Sequence, residues 1–200
     1  MEAEPDQLLR TAMRVANTLR SHEVHFALAG GCAVYAHGGP ASEHDVDVFV
    51  TEQDAPEARK VLVAAGMRAV NPPEDWLLKV YDGDCLVDLI FRPSGRPVTP
   101  ERLDRAEELR VGATTAPVIP ATDLMVDKLL ILNAHRCDFA PLLLIARAVR
   151  EKIDWVEVSR QTGHSPYARA FLTLLADLDI VDGRQLAHAK GEAHAEQGPW

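Results

Sequence analysis

Asp45 and Asp47 stand one residue apart in the run His44-Asp45-Val46-Asp47-Val48-Phe49-Val50. The β-branched and aromatic residues around them predict a strand over 45–50. In a strand, residues i and i+2 share a face, so both carboxylates project together and Val46 and Val48 project the other way. Two ionised carboxylates held side by side repel each other, and near a core they also lose hydration. A hard divalent cation relieves both costs. Mg²⁺ takes oxygen ligands, typically one or two carboxylates together with substrate phosphates. The plain alternative for any Asp-x-Asp is a solvated strand end, so the surroundings must decide.

Three further features bear on that choice. Gly30-Gly31 lies between a predicted strand and a predicted helix. Glycines there let backbone approach a ligand, and a helix start offers unpaired N–H groups to phosphate; a tight turn is the plain alternative. The Gly-x-Gly-x-x-Gly spacing of a dinucleotide site is absent, and no Gly-Lys-Ser/Thr follows as in a Walker loop. Asp88 sits inside Cys85-Leu86-Val87-Asp88-Leu89-Ile90-Phe91. A carboxylate within an apolar strand is costly unless it is paired or binds metal. Asp88 is therefore either a third metal carboxylate or half of a salt bridge. Lys128 lies in an apolar helical pattern, where it is either surface or a point charge for a triphosphate. Asp138 follows Arg136-Cys137 and is placed to cap the next helix.

The elements that must position these residues are legible in outline. Apolar positions at Leu8, Leu9, Ala12, Val15, Ala16 and Leu19 predict a helix over 5–20. A strand is expected over 24–29, a short helix over 32–36, a turn over 37–40 and a helix over 53–65 closed by Gly66. Strands over 76–81 and 85–91 flank Asp82-Gly83, a hairpin signal. A loop over 93–100 and a short helix to about 108 follow, and the interleaved charges there read as a solvated helix face. One or two strands are expected over 110–118. Helices are predicted over 122–135, with Thr122 as N-cap, and over 138–152, 155–162 and 167–178. The fold class is thus α/β (α+β): a mixed-sheet core over 1–120, a C-terminal helical bundle over 121–180, and a tail over 181–200 that reads as loosely held.

Bulk properties narrow the classes. The chain has 200 residues, 47% hydrophobic and 26% charged, as expected of a globular protein. No apolar run has the length of a membrane span, and the acidic N-terminus lacks the pattern of a signal peptide. Cys32, Cys85 and Cys137 form neither a metal spacing nor a disulfide framework, so a reduced, cytoplasmic protein is expected. The formal net charge of −9 argues against non-specific nucleic-acid binding, though a local basic patch is compatible with it. Gly163-His164-Ser165 is not a nucleophile elbow, and the histidines show no zinc-ligand spacing.

Taken together, Leu28-Ala29-Gly30-Gly31-x-Ala33, Asp45-Val46-Asp47 and the later Asp88 resemble the nucleotidyltransferase superfamily, with its polymerase β-like fold. The run Leu124-Met125-x-x-Lys128-Leu129-Leu130, followed by Arg136-x-Asp138, is similar to the AbiEii/MenT toxin-type branch. The resemblance spans roughly 24–150 and departs where many members carry Gly-Ser and this chain has Gly30-Gly31. It implies Mg²⁺ (or Mn²⁺) on Asp45, Asp47 and Asp88, with a nucleoside triphosphate as substrate. It further implies phosphate contacts from Gly30 and Gly31, and contacts from Lys128 and Asp138 to the nucleotide. Its acceptor would be the 3′ end of tRNA, with a cognate antitoxin as partner. Small-molecule transferases of the aminoglycoside type share Gly-Gly and Asp-x-Asp and suit an acidic surface. A catalytically inactive binding module of the same fold is the third expectation.

Overall fold

A computed structural model describes residues 5–41, 45–184 and 186. His44, the extreme N-terminus and most of the expected tail, 185 and 187–200, lie outside the described residues. The chain divides into two compact units, Met1–Pro120 and Ala121–Trp200.

The first unit is built on a seven-stranded mixed sheet. Its strands are β1 (Phe26–Leu28), β2 (Asp45–Val50), β3 (Arg68–Val70), β4 (Leu77–Asp82), β5 (Cys85–Ile90), β6 (Glu107–Val111) and β7 (Thr114–Val118). The spatial order is β3-β4-β5-β2-β1-β7-β6. The pairs β2–β5 and β1–β7 are parallel, and every other neighbouring pair is antiparallel. The helices of this unit are α1 (Pro5–Ser21), α2 (Gly30–Ala36), α3 (Ala55–Ala64) and α4 (Pro100–Asp104). Leu8, Ala12, Val15, Ala16 and Leu19 of α1 are buried, matching their helical spacing. They pack with α3 over the sheet face that carries Val46, Val48, Val80, Val87 and Leu89, each of which is fully buried.

The expected hairpin forms between β4 and β5. Asp82 pairs with Cys85, and Gly83, at φ +61°, supplies the left-handed first position of the two-residue turn. Several expectations are corrected. Strand β3 was not anticipated, because three residues at a sheet edge leave almost no periodic signal. The charged segment after 92 is not one solvated helix. It forms a 3-10 turn at Pro93–Gly95, then α4, then β6. Within it Arg102 is buried, its guanidinium 4.8 Å from the centroid of the Phe49 ring. Cation–π stacking and a covered stem explain how a charged residue becomes core here.

The second unit is helical: α5 (Ala121–Leu130), α6 (Ala140–Val149), α7 (Trp155–Thr162) and α8 (Pro166–Asp177). Asp154 caps α7 by accepting from the Glu157 amide at 3.0 Å, and Ser165 caps α8 by accepting from Ala168. Helix α5 begins at Ala121, and Thr122 Oγ1 instead accepts from the Asp154 amide at 2.9 Å. It stops at Leu130, short of the expected 135, because the Asn133 side chain accepts from the His135 amide at 2.9 Å and turns the chain. Helix α6 starts at Ala140, two residues beyond Asp138. Val181 and Leu186, in the segment expected to be loose, are buried. No helix among the described residues is long and apolar enough to cross a membrane.

Candidate active site

The chemistry-bearing residues of the first unit meet on the sheet face opposite α1 and α3. Strand β2 displays Asp45 and Asp47 there through the two-residue period, while Val46 and Val48 anchor it from beneath. The parallel pairing of β2 and β5 sets Asp47 directly beside Asp88. One oxygen from each of Asp45, Asp47 and Asp88 lies within 4.8 Å of the others. Asp45 and Asp47 are half-buried and Asp88 is buried at 7% exposure.

Asp88 has a neighbour of each kind that the sequence alternatives require. On one side it faces Asp47; on the other it faces Lys79 of β4, whose Nζ lies 3.8 Å from Asp88 Oδ1. That oxygen is buried and accepts no hydrogen bond from the described residues. Burial pushes the Asp88 carboxyl up to about 6 from an ordinary 3.8; Lys79 pulls it down, while Asp45 and Glu74 add to the rise. Glu74, in the loop before β4, has a buried Oε2 that also lacks a hydrogen-bond partner among the described residues.

Helix α2 closes the cluster from the β1 side. The Ala29 amide donates to the Asp47 carbonyl at 2.9 Å, fixing the end of β1 against β2. The helix begins at Gly30, two residues earlier than the spacing predicts, and no side chain caps it. Gly30 sits at φ +51°, and a Cβ there would lie 1.6 Å from Asp47 Oδ2. Both the backbone conformation and the space demand glycine, because the Asp47 carboxylate occupies the volume a side chain would need. Cys32, two residues into α2, was not counted with the site in the sequence. It is buried close enough that, after burial itself, Asp47 and Asp45 push its thiol pKa up. A short-range signal, Gly-Gly-Cys ahead of Asp-x-Asp, placed it near in sequence but not in space.

The donor set fits a divalent cation. All three donors are carboxylate oxygens, the chemistry preferred by Mg²⁺ and Mn²⁺. They converge within 4.8 Å of one another, and Asp88 Oδ1, which faces Lys79 Nζ at 3.8 Å, accepts no hydrogen bond from the described residues and keeps capacity for a cation. Lys128 and Asp138 belong to the second unit. Lys128 is half-buried on α5; Asp138 is exposed, its Oδ1 accepting from the Ala140 amide at 3.0 Å.

Neither protein-family models nor curated protein sequences match this chain. Solved structures do. The antibiotic-resistance factor ANT(2″)-Ia in solution shares 13% identity at a TM-score of 0.53, over 98% of this chain and 100% of that one. A crystal form of ANT(2″)-Ia with adenylyl-2″-tobramycin gives 15% and 0.52, over 92% and 98%. An antigenic nucleotidyltransferase-like protein from Paracoccidioides brasiliensis gives 14% and 0.55, over 94% and 95%. The chain has the nucleotidyltransferase fold. At these identities the likeness is one of architecture, and it spans both units, because each neighbour is matched nearly end to end.

Proposed function

We propose that this protein is a metal-dependent nucleotidyltransferase that moves a nucleoside monophosphate from a nucleoside triphosphate to an acceptor hydroxyl. The observation that carries the reading is the convergence of Asp45, Asp47 and Asp88 within 4.8 Å on adjacent strands, with Gly30 packed against Asp47. In the reaction the acceptor oxygen forms a bond to the α-phosphorus. The bond from that phosphorus to the bridging oxygen breaks, and pyrophosphate departs with the electron pair. The acceptor proton passes to a base.

Asp45, Asp47 and Asp88 would hold the cation. Once bound, Mg²⁺ neutralises charge on the reacting phosphate and makes the acceptor hydroxyl more acidic. Asp88 would complete the site of the metal nearer the acceptor and would take the acceptor's hydroxyl proton. Gly30 and Gly31 would bring backbone N–H groups up to phosphate oxygens. Lys128 would neutralise the β- and γ-phosphates, and Asp138 would contact the nucleotide. Positioning and charge stabilisation then supply most of the catalysis.

Two acceptor classes follow from different observations. The toxin-type resemblance supports a tRNA 3′ end, with an antitoxin as partner. The net charge of −9, together with the end-to-end likeness to a protein solved with adenylyl-2″-tobramycin, supports a small cationic acceptor. The deciding experiment supplies each of the four labelled nucleoside triphosphates with Mg²⁺ to native protein and Asp45→Asn. Total tRNA and an aminoglycoside panel serve as acceptors. Label transferred by native protein alone supports the reading and names the class. Absence of any Mg²⁺-dependent nucleotide binding by the native protein overturns it and leaves the inactive binding module.

A further inference from the structure

The sheet face that carries the carboxylates continues past them onto β4 and β3. Cross-strand partners share a face, so the pairings define two rows. One runs Asp47, Asp88, Lys79; the other runs Asp45, Leu86, Tyr81, Arg68. Helices α1 and α3 occupy the opposite face; on this one Lys79, Tyr81 and Leu86 are half-buried and Arg68 is exposed. The Arg68 guanidinium lies 4.8 Å from the centroid of the Tyr81 ring. Beside the carboxylates there is therefore a shelf made of the planar Tyr81–Arg68 pair and a second cation, Lys79.

Its position in the reaction follows from in-line geometry and rests on the nucleotidyl-transfer reading. Gly30 approaches Asp47 from β1, which borders β2 on the side away from β5. Phosphates cradled there put the departing pyrophosphate on the β1 side. An in-line displacement brings the acceptor from the opposite side, which is the side of β5, β4 and β3.

We propose that Arg68, Tyr81 and Lys79 form the acceptor subsite, and that it takes a nucleotide 3′ end: a planar base on the Arg68–Tyr81 pair and a phosphate between Lys79 and Arg68. Bases stack on aromatic rings and guanidinium planes, and cations pair with the phosphates. The choice between acceptor classes follows from range. At physiological salt charges are screened over roughly 8 Å, so the groups that decide are those on this face: Lys79 and Arg68 beside the three carboxylates, whose charge a bound divalent cation largely neutralises. A polycationic aminoglycoside would meet like charge at both.

The test measures binding of a fluorescein-labelled five-nucleotide single-stranded RNA to the full chain by anisotropy, with Mg²⁺ and no nucleoside triphosphate. Saturable binding is expected, weakened about tenfold or more in Tyr81→Leu and in Arg68→Gln and retained in Tyr81→Phe, which keeps the ring. Arg68 is exposed, so its variant stays interpretable even if Tyr81→Leu fails to fold. Competition by AMP as strong as by unlabelled RNA supports recognition of a single nucleotide; competition by RNA alone supports a chain end. Absence of binding to native protein, equal binding by both variants, or tobramycin displacing the probe better than AMP overturns the proposal. The melting shift caused by Mg²⁺ and nucleoside triphosphate is read separately on native protein. Its loss with RNA binding intact would sink the transferase reading while leaving the shelf standing.

Discussion

At the scale of single residues, Asp88 carries the most information because its surroundings pull in opposite directions. Burial raises its pKa from 3.8 to about 6 against the pull of Lys79. Between those values the folded state binds a proton that the unfolded chain does not. The stabilisation is therefore complete below pH 4 and is lost as pH rises through 6, a swing of up to about 3 kcal/mol. Asp88→Asn removes the cost of a buried anion, so in metal-free buffer at pH 7.5 it should melt above the native protein, with the gap closing toward pH 4. Thermal melts across pH 4–8 check this, and a mutant that melts lower at pH 7.5 would show that the Lys79 pair stabilises more than burial costs. Mg²⁺ reverses the preference because it needs the ionised form. Its apparent affinity, read by calorimetry, should weaken as pH falls below about 6. Gly30 gives a sharper steric case. An alanine there places Cβ 1.6 Å from Asp47 Oδ2 at a φ of +51°, so either the helix start or the carboxylate must move. Gly30→Ala should cost about 1–2 kcal/mol from the backbone alone and abolish the melting shift with Mg²⁺ and nucleotide. Full transfer activity in that variant would refute the cradle.

At the scale of elements, what the chain discloses depends on how locally each element is specified. The common face of Asp45 and Asp47 is readable because a strand alternates with period two and Val46 and Val48 mark the buried side. Asp88 was readable as costly and as a candidate third carboxylate beside the Asp45 strand, but its register was not. The β2–β5 pairing joins segments about forty residues apart in parallel, and no turn chemistry fixes such a register. The same reason hides the shelf, since Arg68 reaches Tyr81 through a three-residue edge strand. Arg102 was misread because a charged, helix-spaced segment looks solvated until Phe49 supplies its ring. In the second unit the start of α6 shifted by a residue or two, where a short polar side chain decides locally. These differences predict where stability resides. Leu89 is fully buried on the sheet face opposite the one that carries Asp88. Leu89→Ala should cost about 2–5 kcal/mol in urea unfolding, with the m-value unchanged. A cost under 1 kcal/mol would mean that the central sheet can collapse around the cavity and does not hold the carboxylates rigidly.

At the scale of the whole molecule, the tension lies between an acidic chain and a reaction among anions. A net charge of −9 repels triphosphate and nucleic acid alike at long range. Binding must then come from short-range groups: a cation on the carboxylates, backbone N–H groups at Gly30 and Gly31, and the few cations set close to the site. This predicts an unusual salt dependence. Proteins that grip nucleic acid through broad basic surfaces release many counterions, and single strands give a slope of about −0.7 per neutralised phosphate in log affinity against log salt. The shelf holds one phosphate between Lys79 and Arg68, hence a slope of about −0.7. Measuring the affinity of the short RNA between 50 and 200 mM salt decides the point. A slope near −0.7 that moves toward zero in Arg68→Gln assigns recognition to those two cations. A slope steeper than about −4 would require a larger basic surface elsewhere on the chain, and the acceptor would then be held by something other than the face of this sheet.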